Sequence, residues 1–150
     1  MDRPLLIASD HAGFELKEKL KRVLDAMSVS YRDLGATSAD PVDYPDKAHA
    51  LASLVGRGEA DRGVLVCGSG QGMAMAANRH RGVRAALAAD EETARLSREH
   101  NDANVLALGG RLIDHDRAER ILKVWLETPF AGGRHAGRVV KIDPAGSELM

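Results

Sequence analysis

Four short stretches of this 150-residue chain hold most of the side chains able to do chemistry. In the first, Cys67-Gly68-Ser69-Gly70-Gln71-Gly72, the chain's one cysteine precedes a hydroxyl, an amide and three glycines. Such glycines let backbone approach a ligand closely, and successive N–H groups at a helix N-terminus favour negative charge. The segment lacks the Gly-Lys-Ser/Thr that ends a P-loop, and its spacing is Gly-x-Gly-x-Gly, where a dinucleotide site has Gly-x-Gly-x-x-Gly. A cysteine phosphatase would place an arginine six positions after its cysteine, where this chain has Met73. Gly68-Ser69-Gly70 also lacks the outer spacing of a nucleophile elbow. A loop for a small anion remains. Cys67 itself has two readings. Thiols at strand-to-helix junctions ionise most readily, yet free cysteines are among the most buried residues, so position alone leaves both chemistry and core filling open.

The second stretch, Asp10-His11, offers an acid and an imidazole suited to hydroxyl and phosphate contacts; taken alone, a turn-capping Asp and a surface His serve equally well. The third, His100-Asn101-Asp102-Ala103-Asn104, has varied donors and acceptors that suit a polyhydroxylated ligand, although Asn and Asp also favour plain turns. In the fourth, Arg134 and Arg138 are four apart and share a face if helical. With His135 and the loop residue Arg111 they form a potential phosphate clamp, or else a solvated basic face. No His/Cys/Asp/Glu grouping has recognisable metal spacing, so a metal is not required.

These stretches fall at the ends of alternating elements. Leu5 to Ala8, Val29 to Leu34, Gly63 to Cys67, Val83 to Ala88 and Val105 to Leu108 read as strands. Between them, Phe14, Leu16, Leu20, Val23, Leu24 and Met27 recur at helical spacing, and further helices are expected up to about Val55, after Gly72, over Glu91 to Glu99 and over Asp114 to Leu126, with Asp114 as N-cap. Apolar strands alternating with helices imply an α/β fold with a parallel sheet covered on both faces. Ligands of such sheets sit in loops outside the carboxyl ends of the strands, where Asp10, Cys67 and Gly109-Gly110-Arg111 fall. A single domain is expected, with a tail from about residue 143 that is extended or flexible. The formal charge of −1 gives no basic excess for wrapping nucleic acid, and 3% aromatics supply few stacking platforms. The apolar stretch Leu5 to Ala8 is too short for a signal-peptide core or a membrane span, and one cysteine allows no internal disulfide. A cytoplasmic protein is the expectation.

Taken in order, several blocks resemble the ribose-5-phosphate isomerase B family, which includes the galactose-6-phosphate isomerase subunits. They are Ser9-Asp10-His11-Ala12-Gly13, Asp43-Tyr44-Pro45-Asp46, the 67–72 loop, Ala77-Asn78-Arg79, Gly82 to Leu87, Glu99 to Leu106, Gly109-Gly110-Arg111 and Gly132-Gly133-Arg134-His135, covering nearly the whole chain. The resemblance implies a Rossmann-like three-layer α/β/α sandwich on a five-stranded parallel sheet. It also implies a homodimer or dimer of dimers with the active site between subunits, and no cofactor. Cys67 matches the base of one branch of the family; another branch uses a glutamate in the following helix, where this chain reads Gly72-Met73-Ala74-Met75. Ser69 and the amides of Gly68, Gly70, Gln71 and Gly72 match the anion hole, and His100 with Asp10 resembles the ring-opening pair. Asn101 and Tyr44 match ligand contacts. His11, Arg134 and Arg138 resemble the phosphate clamp, with Arg111 expected from the partner subunit.

The implied reaction is aldose–ketose isomerisation, ribose 5-phosphate to ribulose 5-phosphate, through an enediolate. Ser69 and Gln71 stand where many relatives carry threonine and an aliphatic residue, which leaves four- and six-carbon phosphosugars as alternatives. A non-catalytic sugar-phosphate-binding subunit of a hetero-oligomer is a further alternative, opposed by the joint presence of Cys67, Ser69 and His100. A nucleotide-binding module is opposed by the missing phosphate fingerprints.

Overall fold

The computed structural model describes residues 3–145. Five strands, β1 (Leu5–Ser9), β2 (Tyr31–Asp33), β3 (Gly63–Cys67), β4 (Ala85–Leu87) and β5 (Val105–Gly109), form one sheet in the order β2-β1-β3-β5-β4. Every pairing is parallel. The helices are α1 (Phe14–Ala26), α2 (Tyr44–Gly56), α3 (Gln71–Ala77), α4 (Glu91–Glu99), α5 (His115–Glu127) and α6 (Arg134–Val139). This is the α/β sandwich expected from the alternation.

All residues of β1, β3 and β5 are buried, which is why they read as unbroken apolar runs. Alternate residues serve opposite layers. Leu5, Ile7, Val64, Val66, Leu106 and Leu108 pack with Leu16, Leu20, Leu24, Ile121 and Trp125 from α1 and α5. Leu6, Ala8, Leu65, Cys67 and Val105 pack with Leu51, Ala52, Val55, Met73 and Ala77 from α2 and α3. The edge strands β2 and β4 are shorter than their apolar runs suggest. Each pairs on one side only, over three residues, while its neighbour runs on for two more. Asp114 caps α5 as expected, accepting from the Arg117 amide at 2.7 Å, and Asp90 caps α4 by accepting from Thr93 in the same way.

The chain leaves β1 for β2 on one side of the sheet and enters β3 on the other, so the loops after β1 and β3 diverge and open a crevice. Cys67 pairs in register with Gly109, which brings the β3 and β5 exits side by side. Lys17 of α1 is fully buried, and its ammonium donates to both carboxylate oxygens of Asp33 at 2.8 and 2.7 Å. Asp33 accepts from the Gly35 amide, and Gly35 O accepts from the Ser9 amide at 2.7 Å. An ion pair with its lysine fully buried thus braces the end of β2 against the strand end that carries Asp10. Of the tail expected from about 143, Asp143 accepts from the Gly82 amide at 3.0 Å, and residues 146–150 lie outside the described residues. No helix among the described residues is long and apolar enough to cross a membrane.

Candidate active site

A cleft of about 300 Å³ opens at the carboxyl ends of β1, β3 and β5, lined by Asp10, His11, Tyr44, Cys67, Ser69 and Arg111, with Gly68 and Gly72 between them. Each side chain is set by its local backbone. Asp10 is buried where β1 ends, its amide donates to Val66 O at 3.2 Å, and its Oδ1 accepts from the Gly13 amide at 3.0 Å. His11 is fastened to the loop before α2, its Nδ1 accepting from the Val42 amide at 3.2 Å. The neutral tautomer compatible with that bond carries its proton on Nε2, a donor suited to an anion.

Cys67 is 4% exposed and closes the floor of the cleft. Its Sγ accepts from the Gly70 amide at 3.2 Å, so the loop folds back over the sulfur. Gly70 has φ +80°, and a Cβ there would lie 2.6 Å from Leu87 Cδ1 and 2.9 Å from the Leu108 carbonyl carbon, so only glycine fits. Ser69 Oγ accepts from the Gln71 amide at 3.3 Å, which leaves its own O–H free to donate. At Gly72 a Cβ would sit 2.3 Å from Tyr44 Cε1, so the bare glycine lets the Tyr44 ring lie flat against the start of α3.

Arg111 lines the same cleft as its own chain's Cys67, where the resemblance implies that it comes from a partner. Its amide donates to Gly68 O at 3.0 Å, and its Cδ lies 3.6 Å from where a Cβ on Gly68 would be. The cause is the β3–β5 pairing: the Gly110 amide donates to Cys67 O at 2.7 Å, binding the turn after β5 to the loop after β3.

The remaining expected residues gather elsewhere. His100, Asn101, His135 and Arg138 line a second cleft of about 260 Å³ with Val139 and Ile142. Asn101 also borders a neighbouring cavity of about 340 Å³ with Arg84, Ser97 and Asp143. The His100 and His135 rings are stacked, centroids 4.3 Å apart and planes 13° from parallel. Burial, then the charges of His100, Arg134 and Arg138, hold His135 below the usual imidazole range, with Glu99 opposing. Arg134, one turn before Arg138 on α6, is exposed and lines neither cleft, and neither Gln71 nor Gly70 lines one. Within one chain, therefore, Asp10 and His100 do not share a cleft, and His11 is apart from Arg134 and Arg138. The stacking of His135 on His100 was not readable from their separation in sequence. Nor was the Val42 amide that holds His11.

Residues 5–142 match the model of a family described as Ribose/Galactose Isomerase. Ribose-5-phosphate isomerase B of Escherichia coli is 40% identical over 140 residues, covering 93% of this chain and 94% of that protein. Among solved structures, a ribose 5-phosphate isomerase from Thermotoga maritima superposes with a TM-score of 0.90 at 51% identity, covering 93% of this chain and 97% of that one. Ribose-5-phosphate isomerase B from Mycoplasma genitalium, solved with bound ribulose-5-phosphate, superposes with a TM-score of 0.88 at 40% identity, covering 93% of each chain.

Proposed function

The chain belongs to the Ribose/Galactose Isomerase family, and from that premise we propose that it interconverts ribose 5-phosphate and ribulose 5-phosphate with Cys67 as the proton-transferring base. The observation that carries this reading is the cleft that gathers Cys67, Asp10, His11, Ser69, Tyr44 and Arg111 at the strand ends. The Mycoplasma genitalium relative, with ribulose-5-phosphate bound, supports a five-carbon ligand.

The steps follow from what each group can do. His100 and Asp10 open the furanose, one accepting the O1 proton and the other delivering a proton to the ring oxygen. The Cys67 thiolate then takes the C2 proton, which leaves an enediolate with its negative charge on O1, and the O2 proton passes to O1. With the charge now on O2, the thiol returns its proton to C1 and O2 becomes the carbonyl of the ketose. Negative charge passes between O1 and O2, where the Ser69 O–H and the amides of the 68–72 loop supply fixed donors. The phosphate is remote from the reacting carbons, and its binding by His11, Arg111, Arg134 and Arg138 holds the chain in register. Tyr44 and Asn101 contact the sugar hydroxyls.

Since His100, Asn101 and Arg138 line a cleft apart from Cys67, the reading requires a second copy. We infer a homodimer, or a dimer of dimers, in which the His100 face of one protomer closes the Cys67 cleft of its partner. Exposed apolar side chains support association: Met75, Leu87 and Leu112 on elements that flank the first cleft, Val140 and Ile142 beside the second. A thiol base suits a reducing compartment such as the cytoplasm. Steady-state assays over four-, five- and six-carbon aldose phosphates test the assignment. Ribose 5-phosphate is expected to give the highest kcat/KM, and preference for another sugar by ten-fold or more, on the order of 1.4 kcal/mol, would overturn it.

A further inference from the structure

We propose that His135 is a positioning residue for His100, fixing the plane of that imidazole by a stacked ring contact. The inference rests on the isomerase reading above, in which His100 works on the sugar ring.

A general acid or base is ordinarily aimed by a third group that hydrogen-bonds to it. His100 has no such partner. Among the described residues no hydrogen bond reaches its ring, and the nearest carboxylate, Glu99 Oε1, is 3.8 Å from Nε2, beyond hydrogen-bonding distance. Its side chain is 39% exposed, so packing alone does not lock it. Its one ring contact among the described residues is His135, almost parallel at 4.3 Å. The chain takes some trouble to deliver that ring. The Ala131 amide donates to Glu99 O at 3.0 Å, which ties the segment before α6 to the end of α4. Gly132 and Gly133, with φ of +66° and +55°, then turn the chain so that α6 starts beside His100.

The surroundings keep this stacked face uncharged. The groups around His135 are Arg134 and Arg138 on its own helix and Glu99 and His100 at the end of α4. Burial and the cations outweigh Glu99, so His135 is neutral at neutral pH. Two imidazoles this close do not both hold a proton without repulsion. His100 therefore rests against a flat neighbour that carries no charge.

His135→Ala and His135→Phe separate this role from a merely structural one. The substrates are ribose 5-phosphate, which must be opened, and its 4-deoxy analogue, which lacks the ring-forming hydroxyl and stays open-chain. His135→Ala is expected to lower kcat/KM on ribose 5-phosphate about ten-fold or more while changing the value on the open-chain analogue less than about two-fold. His135→Phe, flat but not titratable, is expected to recover most of the loss. Equal losses on both substrates, no loss on either, or a folded Phe variant that rescues nothing would each overturn the assignment. Wild-type protein inert on both sugars would instead overturn the isomerase reading beneath it.

Discussion

The thiol of Cys67 shares a core cluster with Leu65, Met73 and Ala77 and also closes the floor of the Asp10–Arg111 cleft. Position in the sequence leaves core filling and chemistry open as alternatives, and the fold puts Cys67 both in the core cluster and at the edge of the cleft because β3 ends where the cleft begins. The neighbouring hydroxyl gives a sharp expectation. Ser69 Oγ is already oriented by the Gln71 amide, so Ser69→Ala removes a preset donor to the developing oxyanion. Kinetic assays of that variant should show kcat reduced about 100-fold with KM changed only slightly. A variant with wild-type kcat would remove Ser69 from the anion hole. Gly70 and Gly72 were legible as loop glycines, but their separate reasons were not: one meets Leu87 and Leu108, the other leaves room for Tyr44, and both neighbours are remote in sequence.

At the level of elements, the central strands were plain from their unbroken apolar runs, and the Asp114 cap from its place before a helical pattern. The Lys17–Asp33 pair was not. A lysine in an amphipathic helix reads as a surface residue, and nothing local says that its partner waits 16 residues on, at the end of β2. Asp33 carries an opposing balance: burial alone would raise its carboxyl, but hydrogen bonds from Lys17, Lys21 and the Gly35 amide outweigh it and hold it below the usual range. Asp33→Asn leaves the fully buried Lys17 with only Glu18, and should cost about 3 kcal/mol in urea unfolding. The same pair sets an acid limit. A carboxyl whose folded value is depressed stabilises the fold above its unfolded value, about 4, and that stability is lost as pH falls through the folded value. Glu18 is depressed too: its burial is outweighed by Lys21 and Lys17. Urea midpoints should therefore show these two groups contributing fully between pH 5 and 7 and fading below about pH 4, with a flatter acid limb for Asp33→Asn. An unchanged acid limb in that variant would show that the pair contributes nothing to it.

For the molecule as a whole, the candidate residues were legible but their division between two clefts was not, because spacing along a chain does not say which surface a loop faces. Arg111 shows the limit. The resemblance implies that it comes from a partner, and the β3–β5 register lays it on its own Gly68. The division leads to a complementation experiment. Cys67→Ala and His100→Ala each spoil every site in a homodimer, but a mixed dimer holds one site with both residues intact. Co-refolding the two inactive variants in equal amounts should restore roughly a quarter of wild-type activity. No recovery, with mixed dimers seen by native mass spectrometry, would mean that Cys67 and His100 serve the same chain. The role of Cys67 is tested most directly by following ribose 5-phosphate in D2O, measuring both its conversion to ribulose 5-phosphate and deuterium entry at C2. Cys67→Ala should still bind the sugar yet lose turnover and exchange together, by at least about 1,000-fold. A folded variant that turns over or exchanges at the wild-type rate would contradict the assignment of Cys67 as the base.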